Sequence, residues 1–139
     1  ETPIVQLETA IGSGLECFEG AVGLSVSRER FLPVKKTDDL LLVRSNLFSL
    51  SNGKLVRNPQ RKSASLPIIE LGDFLQNIEN FENGFSVIPD LVNLEELKIK
   101  GAVRFEGAAF LQGKVHLQGL KDELTLPAGV VIADETRQG

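Results

Sequence analysis

One cysteine and one histidine in 139 residues leave this chain almost no thiol or imidazole chemistry and no cluster of them for a transition metal. Cys17 alone excludes a disulfide framework and any cysteine-based metal site, and a reducing, cytoplasmic setting follows as the default. Leu15 and Phe18 beside it read as a helix face turned to a core, so the thiol is expected to be packed rather than reactive. His116, the single imidazole, lies inside an alternating apolar rung, so no Ser-His-Asp set is expected, and one histidine with one cysteine makes no His/Cys metal cluster. An excess of positive charge is also missing: 15 Lys+Arg stand against 19 Asp+Glu, a net charge of −4, so no broad nucleic-acid surface is expected. No apolar run approaches the ~18 residues of a membrane span, and no signal-peptide pattern is visible. Methionine, tyrosine and tryptophan are absent and the first residue is Glu1, so the chain reads as a piece of a longer protein. Its length suits one domain, or a modest domain with an appendage.

What is present divides near Pro89. Upstream, Leu7, Ala10, Ile11, Leu15 and Phe18 form a helical stripe over Gln6 to Glu19, weakened by Gly12 and Gly14. Gly12-Ser13-Gly14 lacks a preceding strand and is assigned to packing, not to phosphate binding. Val22, Leu24 and Val26 alternate as a short strand. A helix is expected from about Asp38 to Phe48, with Asp38 and Asp39 at its positive end. Asn52-Gly53 marks a hairpin between Leu50 and Val56. Arg57 to Ser65 reads as an exposed basic loop, Ile68 to Leu71 as a strand, and Phe74, Ile78 and Phe81 as a helix stopped by Gly84.

From Pro89 a six-residue repeat takes over. Gly101, Gly107, Gly113 and Gly119 are each six apart. The apolar pairs Leu97/Ile99, Val103/Phe105, Ala109/Leu111 and Val115/Leu117 advance with them. After a longer loop from Gly119 to Glu123 the pattern resumes with Leu124/Leu126 and Val130/Ile132. Two-residue alternation repeated every six residues suits a parallel β-helix, with inward apolar side chains and small residues at the corners. An antiparallel meander would want dedicated hairpin turns instead. If three hexapeptides make a turn, as in left-handed coils, there are about two turns, and such a coil offers a stackable end for self-association.

Chemistry is sparse. His116 lies between the inward Val115 and Leu117, so it is expected to point outward as a solvated surface histidine. Glu79, Glu82, Asp90, Glu95 and Glu96 read as solvated faces of helices and loops. Helix capping accounts for Asp38 and Asp39 more simply than Mg²⁺ does. That leaves the loop from Arg28 to Lys36, which brings Arg28, Arg30, Lys35 and Lys36 to a helix N-terminus around a Leu-Pro-Val turn, the ingredients of a phosphate site. Neighbouring residues of an extended segment face opposite sides, so one of the two lysines is the candidate and the other a solvated neighbour. On composition alone a solvated basic loop is the plainer reading.

These residues also resemble a known family. The runs Val5-Gln6-Leu7-Glu8-Thr9-Ala10, Arg30-Phe31-Leu32-Pro33-Val34-Lys35, Asp39-Leu40-Leu41-Leu42-Val43 and Ser45-Asn46-Leu47 are similar to the C-terminal part of the UTP–glucose-1-phosphate uridylyltransferases. Asn58-Pro59, Leu71-Gly72 and Ile88-Pro89-Asp90 extend the match, in order, over nearly the whole chain. The chain departs where the family usually has proline (Ser27), a small residue (Glu29), and threonine or alanine (Lys36).

The resemblance implies an α/β segment at the C-terminal edge of a Rossmann-like nucleotidyltransferase domain, residues 1–88 with connecting helices. A short left-handed parallel β-helix over 89–133 and a polar tail over 134–139 follow. It implies UDP-glucose and pyrophosphate made from UTP and glucose 1-phosphate, with Mg²⁺ held by sequence outside this chain. Lys35 would contact the nucleotide phosphates, and the fragment alone would be inactive; Arg30 and Lys36 are supporting candidates from the charge of the loop itself, not from the family pattern. The competing expectation is a non-catalytic β-helix module for oligomerisation. A hexapeptide-repeat acyltransferase fits poorly, because it wants more turns and a catalytic histidine.

Overall fold

A computed structural model describes residues 11–27 and 31–139, and the chain divides into two compact units, 1–31 and 32–139. In the first unit the described residues form a single 3₁₀ helix, Ile11–Cys17. It is followed by i→i+3 turns in which Phe18 N donates to Leu15 O and Ala21 N to Phe18 O. The expected α-helix is therefore only a tighter turn where it can be seen, in keeping with the low helix propensity of Gly12 and Gly14. Its first half, Gln6 to Ala10, lies outside the described residues. No strand forms over 21–27, where Val22 and Leu24 are 91% and 88% exposed. Cys17 is exposed as well, with Leu15 and Phe18, so the expectation of a packed thiol fails. A unit this small cannot enclose a core around it.

The second unit opens with α1, Thr37–Arg44. This helix stops short of Phe48 because Ser45 turns back on it: Ser45 Oγ donates to Leu42 O at 2.8 Å and accepts from Leu47 N at 3.3 Å. Phe48 instead starts β1 (Phe48–Ser51), which pairs antiparallel with β2 (Lys54–Arg57). Asn52 and Gly53, at φ 50° and 72°, supply the left-handed pair a tight hairpin turn demands.

After β3 (Ile68–Glu70), the single helix expected through Phe81 is two: α2 (Gly72–Gln76) and α3 (Ile78–Gly84). Asn77 separates them by capping the second, its Oδ1 accepting from Glu79 N at 2.9 Å and Asn80 N at 3.2 Å. Phe74 and Ile78 consequently stay exposed, while Leu75, Phe81 and Phe85 are buried. Phe85 joins α3 to the sheet, with ring centroids 5.1 Å from Phe81 and 5.2 Å from Phe105.

The six-residue repeat becomes two long, bent strands, β4 (Leu94–Phe105) and β5 (Phe110–Leu126), paired in parallel. Leu97 sits against Val115, Ile99 against Leu117, Val103 against Leu124 and Phe105 against Leu126. Three hexapeptides thus separate partners before Gly119. The additional residues of the 119–123 loop appear as a register shift between Gly101 and Val103. Every inward pair named from the sequence through Leu124/Leu126 is buried, as is Ile132, with Val130 packed against the same core. Parallel pairing excludes the antiparallel meander for this part of the chain.

The sheet extends beyond the repeat on both sides. β3, upstream of residue 89, pairs with β4, while β6 (Val131–Ala133) and β7 (Thr136–Gln138) each pair with β5, all in parallel. The polar segment 134–139 thereby contributes a strand. The second unit is a parallel sheet with a short antiparallel hairpin and three helices.

The outer face of the sheet carries charge. His116 does point away from the core, yet it is paired rather than merely solvated: its Nε2 lies 2.8 Å from Glu96 Oε1. Lys98 Nζ reaches Glu96 Oε2 at 3.4 Å and Glu70 at 3.8 Å. Glu96 is thus not on a helix or loop but inside β4, between strands. The hydrogen bond from His116, and then Lys98, hold its carboxyl below the usual carboxylate range. A depressed acid stabilises the fold fully above its unfolded pKa of about 4.3, and the benefit is lost as pH falls through the folded value. Urea midpoints from pH 7 to 3 should therefore fall less steeply below about pH 4.3 for Glu96→Gln than for the parent chain. Parallel profiles would remove Glu96 from the acid sensitivity.

Candidate functional site

Lys35 and Lys36 are both exposed, at the end of the segment that delivers the chain into α1. Lys36 has an extended backbone (φ −132°, ψ 167°) and its carbonyl accepts the first helical bond, from Leu40 N. The backbone N–H groups of Lys35 and Lys36 donate to Asp39 Oδ2 at 2.9 and 3.1 Å, so a carboxylate of the first helical turn pins both lysine backbones. Asp38 works in the other direction: its Oδ1 accepts from Leu71 N at 2.7 Å and its oxygens take the Gln76 amide, tying α1 to α2. Thr37 is buried between these anchors, and its Oγ1 has no hydrogen-bond partner among the described residues. The result is a pair of exposed ammonium groups on a fixed backbone, suited to reaching phosphate oxygens. Arg30 lies outside the described residues.

Asp39 is thus committed to the backbone at the helix start, as capping predicted, whereas Asp38 does not cap its own helix but fastens it to Leu71 and Gln76. Among the described residues no three His, Cys, Asp or Glu side chains come together as a metal site. No helix among them is long and apolar enough to cross a membrane.

One feature escaped the sequence. At the opposite end of α1 from the lysines, Arg44, Ser45, Asn46, Ile88, Pro89, Asp90, Ala108, Ala109 and Phe110 line an open cleft of about 410 Å³. Its polar groups are already engaged. Arg44 pairs with Glu82 over the Phe81 ring, Asn46 Oδ1 accepts from Leu91 N at 3.0 Å, and Asp90 Oδ1 from Val92 N at 2.9 Å. These contacts span up to 45 positions, so no local pattern announces them.

Comparison with known proteins gives this geometry its context. The sequence profile of the family described as UTP–glucose-1-phosphate uridylyltransferase matches residues 1–112. The chain belongs to this family. The matched region takes in the lysine loop and α1, and runs into β5. A UTP–glucose-1-phosphate uridylyltransferase of Solanum tuberosum is 44% identical over 140 residues, covering 98% of this chain and 29% of that protein. Among solved structures, the UDP-glucose phosphorylase of Trypanosoma brucei superposes with a TM-score of 0.76 at 30% identity, covering 96% of this chain and 30% of that one. A variant of UDP-glucose pyrophosphorylase from Leishmania major, in complex with UDP-glucose, gives 0.75 at 28% identity, covering 95% and 28%. This uridylyltransferase-family chain therefore spans less than a third of the length of these relatives.

Proposed function

We propose that this chain is the C-terminal portion of a uridylyltransferase that joins UTP and glucose 1-phosphate into UDP-glucose and pyrophosphate. The observation that carries the reading is the family match across residues 1–112, which contains the Lys35 loop. A solved relative bound to UDP-glucose adds support. In the reaction an oxygen of the sugar phosphate attacks the α-phosphorus of UTP, and the bond to the α,β-bridging oxygen breaks as pyrophosphate leaves. Lys35, exposed on a backbone held by Asp39, neutralises charge on the nucleotide phosphates as it moves toward the leaving group. Arg30 and Lys36 support it from the same loop. Mg²⁺, where bound by the remainder of the protein, would shield the triphosphate.

In this reading residues 1–88 close the nucleotidyltransferase domain and 89–133 form a left-handed β-helix. The parallel register of β4 and β5, three hexapeptides apart, supports a coil. The setting is cytoplasmic, and the fragment alone is inactive. A second reading, self-association through the coil, is favoured by the edge strands β6 and β7, each paired to β5 on one side only.

The test is the full-length protein, or a chimera in which this chain replaces the matching section of the potato relative, supplied with UTP, glucose 1-phosphate and Mg²⁺. UDP-glucose and pyrophosphate should form at equal rates. A folded chimera that makes none overturns the proposal.

A further inference from the structure

The loop between β2 and β3 lies apart in sequence from the Lys35 loop and gathers charge of its own. Arg57, the last residue of β2, and Arg61 within the loop turn their guanidinium groups onto loop carbonyls: Arg57 Nη1 donates to Ala64 O, and Arg61 Nε to Ser65 O at 2.9 Å. Arg61 also reaches across to the sheet, its Nη1 donating at 2.8 Å to both Val92 O and Leu94 O, the latter at the first residue of β4. Two cations are thus gathered at successive carbonyls, 64 and 65. Between and beside them stand two exposed serines, with Ser63 Oγ 3.1 Å from Ser65 Oγ. The gathering is uncomfortable. Burial, and after it the charge of Arg57, press against the charged form of Arg61, and Glu95 offsets this only in part. An anion placed at residue 65 would relieve that repulsion.

The sequence supplies a way to place one. Lys62, exposed, is three residues before Ser65, Arg61 is four before it, and the apolar Leu66 follows directly. Cations at that distance from a hydroxyl on an exposed loop are what acidic kinase subsites select. We propose that Ser65 is the acceptor of a basophilic protein kinase, and that the phosphate it receives is clasped by Arg57 and Arg61. The γ-phosphorus of ATP passes to Ser65 Oγ. The new O–P bond forms as the bond to the β,γ-bridging oxygen breaks, the hydroxyl proton goes to the kinase's base, and ADP leaves.

A phosphoserine carries roughly −1.5 to −2 charges at pH 7, a stronger acceptor than any carbonyl. Arg61 is the residue that ties the loop to the start of β4. Its recruitment by phosphate withdraws donors from Val92 and Leu94 and loosens that tie. The modification is therefore a switch on the first long strand, and it stands independently of the uridylyltransferase reading.

The experiment incubates the intact chain with ATP, Mg²⁺ and the catalytic subunit of the cAMP-dependent kinase, and maps phosphate by mass spectrometry. One phosphate is expected on Ser65, retained in Ser63→Ala and absent in Ser65→Ala. Lys62→Ala should slow incorporation about tenfold, the worth of one charge-assisted contact. The phosphorus NMR titration of the product then reads the clasp. Its second ionisation should move from about 6, the value of a free phosphoserine, to about 5, and return toward 6 in Arg57→Gln. No phosphate on Ser65, or a titration near 6 that ignores Arg57→Gln, overturns the proposal.

Discussion

Lys35→Ala in the full-length enzyme or the chimera should lower turnover about 10²–10³-fold, the loss seen when one preorganised donor is taken from developing charge. The thermal midpoint should not move, because the Lys35 side chain is exposed and only its backbone N–H bonds to Asp39, a bond alanine keeps. Lys36→Ala should stay within about threefold, as expected of an exposed supporting charge that acts on the phosphates only through solvent. Lys35→Arg should recover part of the loss, since it restores charge but not the compact ammonium geometry. Initial-rate measurements of pyrophosphate release, with UTP and glucose 1-phosphate varied separately, distinguish the outcomes. A fall in turnover with a small change in KM places the ammonium on charge that develops in the transition state. A rise in KM alone would make Lys35 a ground-state contact. Equal effects at Lys35 and Lys36 would mean that the loop contributes only diffuse charge, and the assignment to Lys35 would be lost.

The parallel repeat was legible because its determinants are local. A period of six and an alternation of two fix which side chains turn inward, and Leu97, Ile99, Val103 and Phe105 are buried accordingly. The hairpin at Asn52-Gly53 was legible for the same reason, two adjacent residues that accept positive φ. Helix ends were less so. Leu47 and Phe48 continue the helical spacing of α1, and only the back-bonding of a buried Ser45 ends it. Asn77 likewise reads as an ordinary helical residue until its side chain is seen capping α3. What the periodicity could not contain are the long-range fasteners: Asp38 to Leu71, Asn46 to Leu91, Arg61 to Val92 and Leu94. The candidate lysine stands apart from both groups. Loop geometry offers Lys35 and Lys36 on nearly equal terms, and only the family resemblance chooses between them. The apolar alternation at Val22, Leu24 and Val26 shows the remaining limit, because a strand pattern makes no strand unless a partner strand closes its hydrogen bonds.

The corner glycines yield the largest expected effect on stability. Gly101 and Gly119 face one another in register across β4 and β5. A Cβ on Gly101 would stand 2.1 Å from Gly119 O, and one on Gly119 would stand 1.8 Å from Ala102 O. Both obstacles are backbone atoms, so no side chain can swing aside. Gly101 also has φ +79°. Gly129 shares that conformation at φ +81°, but a Cβ there would meet nothing within 4 Å, so it isolates the conformational cost. Gly129→Ala should accordingly lose about 1–2 kcal/mol from the left-handed backbone alone. Gly101→Ala adds an overpacking penalty to that strain and should lose about 3–5 kcal/mol, a fall of roughly 12–20 °C in midpoint. Thermal unfolding of the two variants under one set of conditions makes the comparison. Equal losses would mean that glycine stands at the corner for its dihedral freedom only, and that β4 and β5 can separate there without strain. A much larger loss at Gly101 would mean that the glycines at 101 and 119 record how closely the backbones of β4 and β5 must approach at this corner.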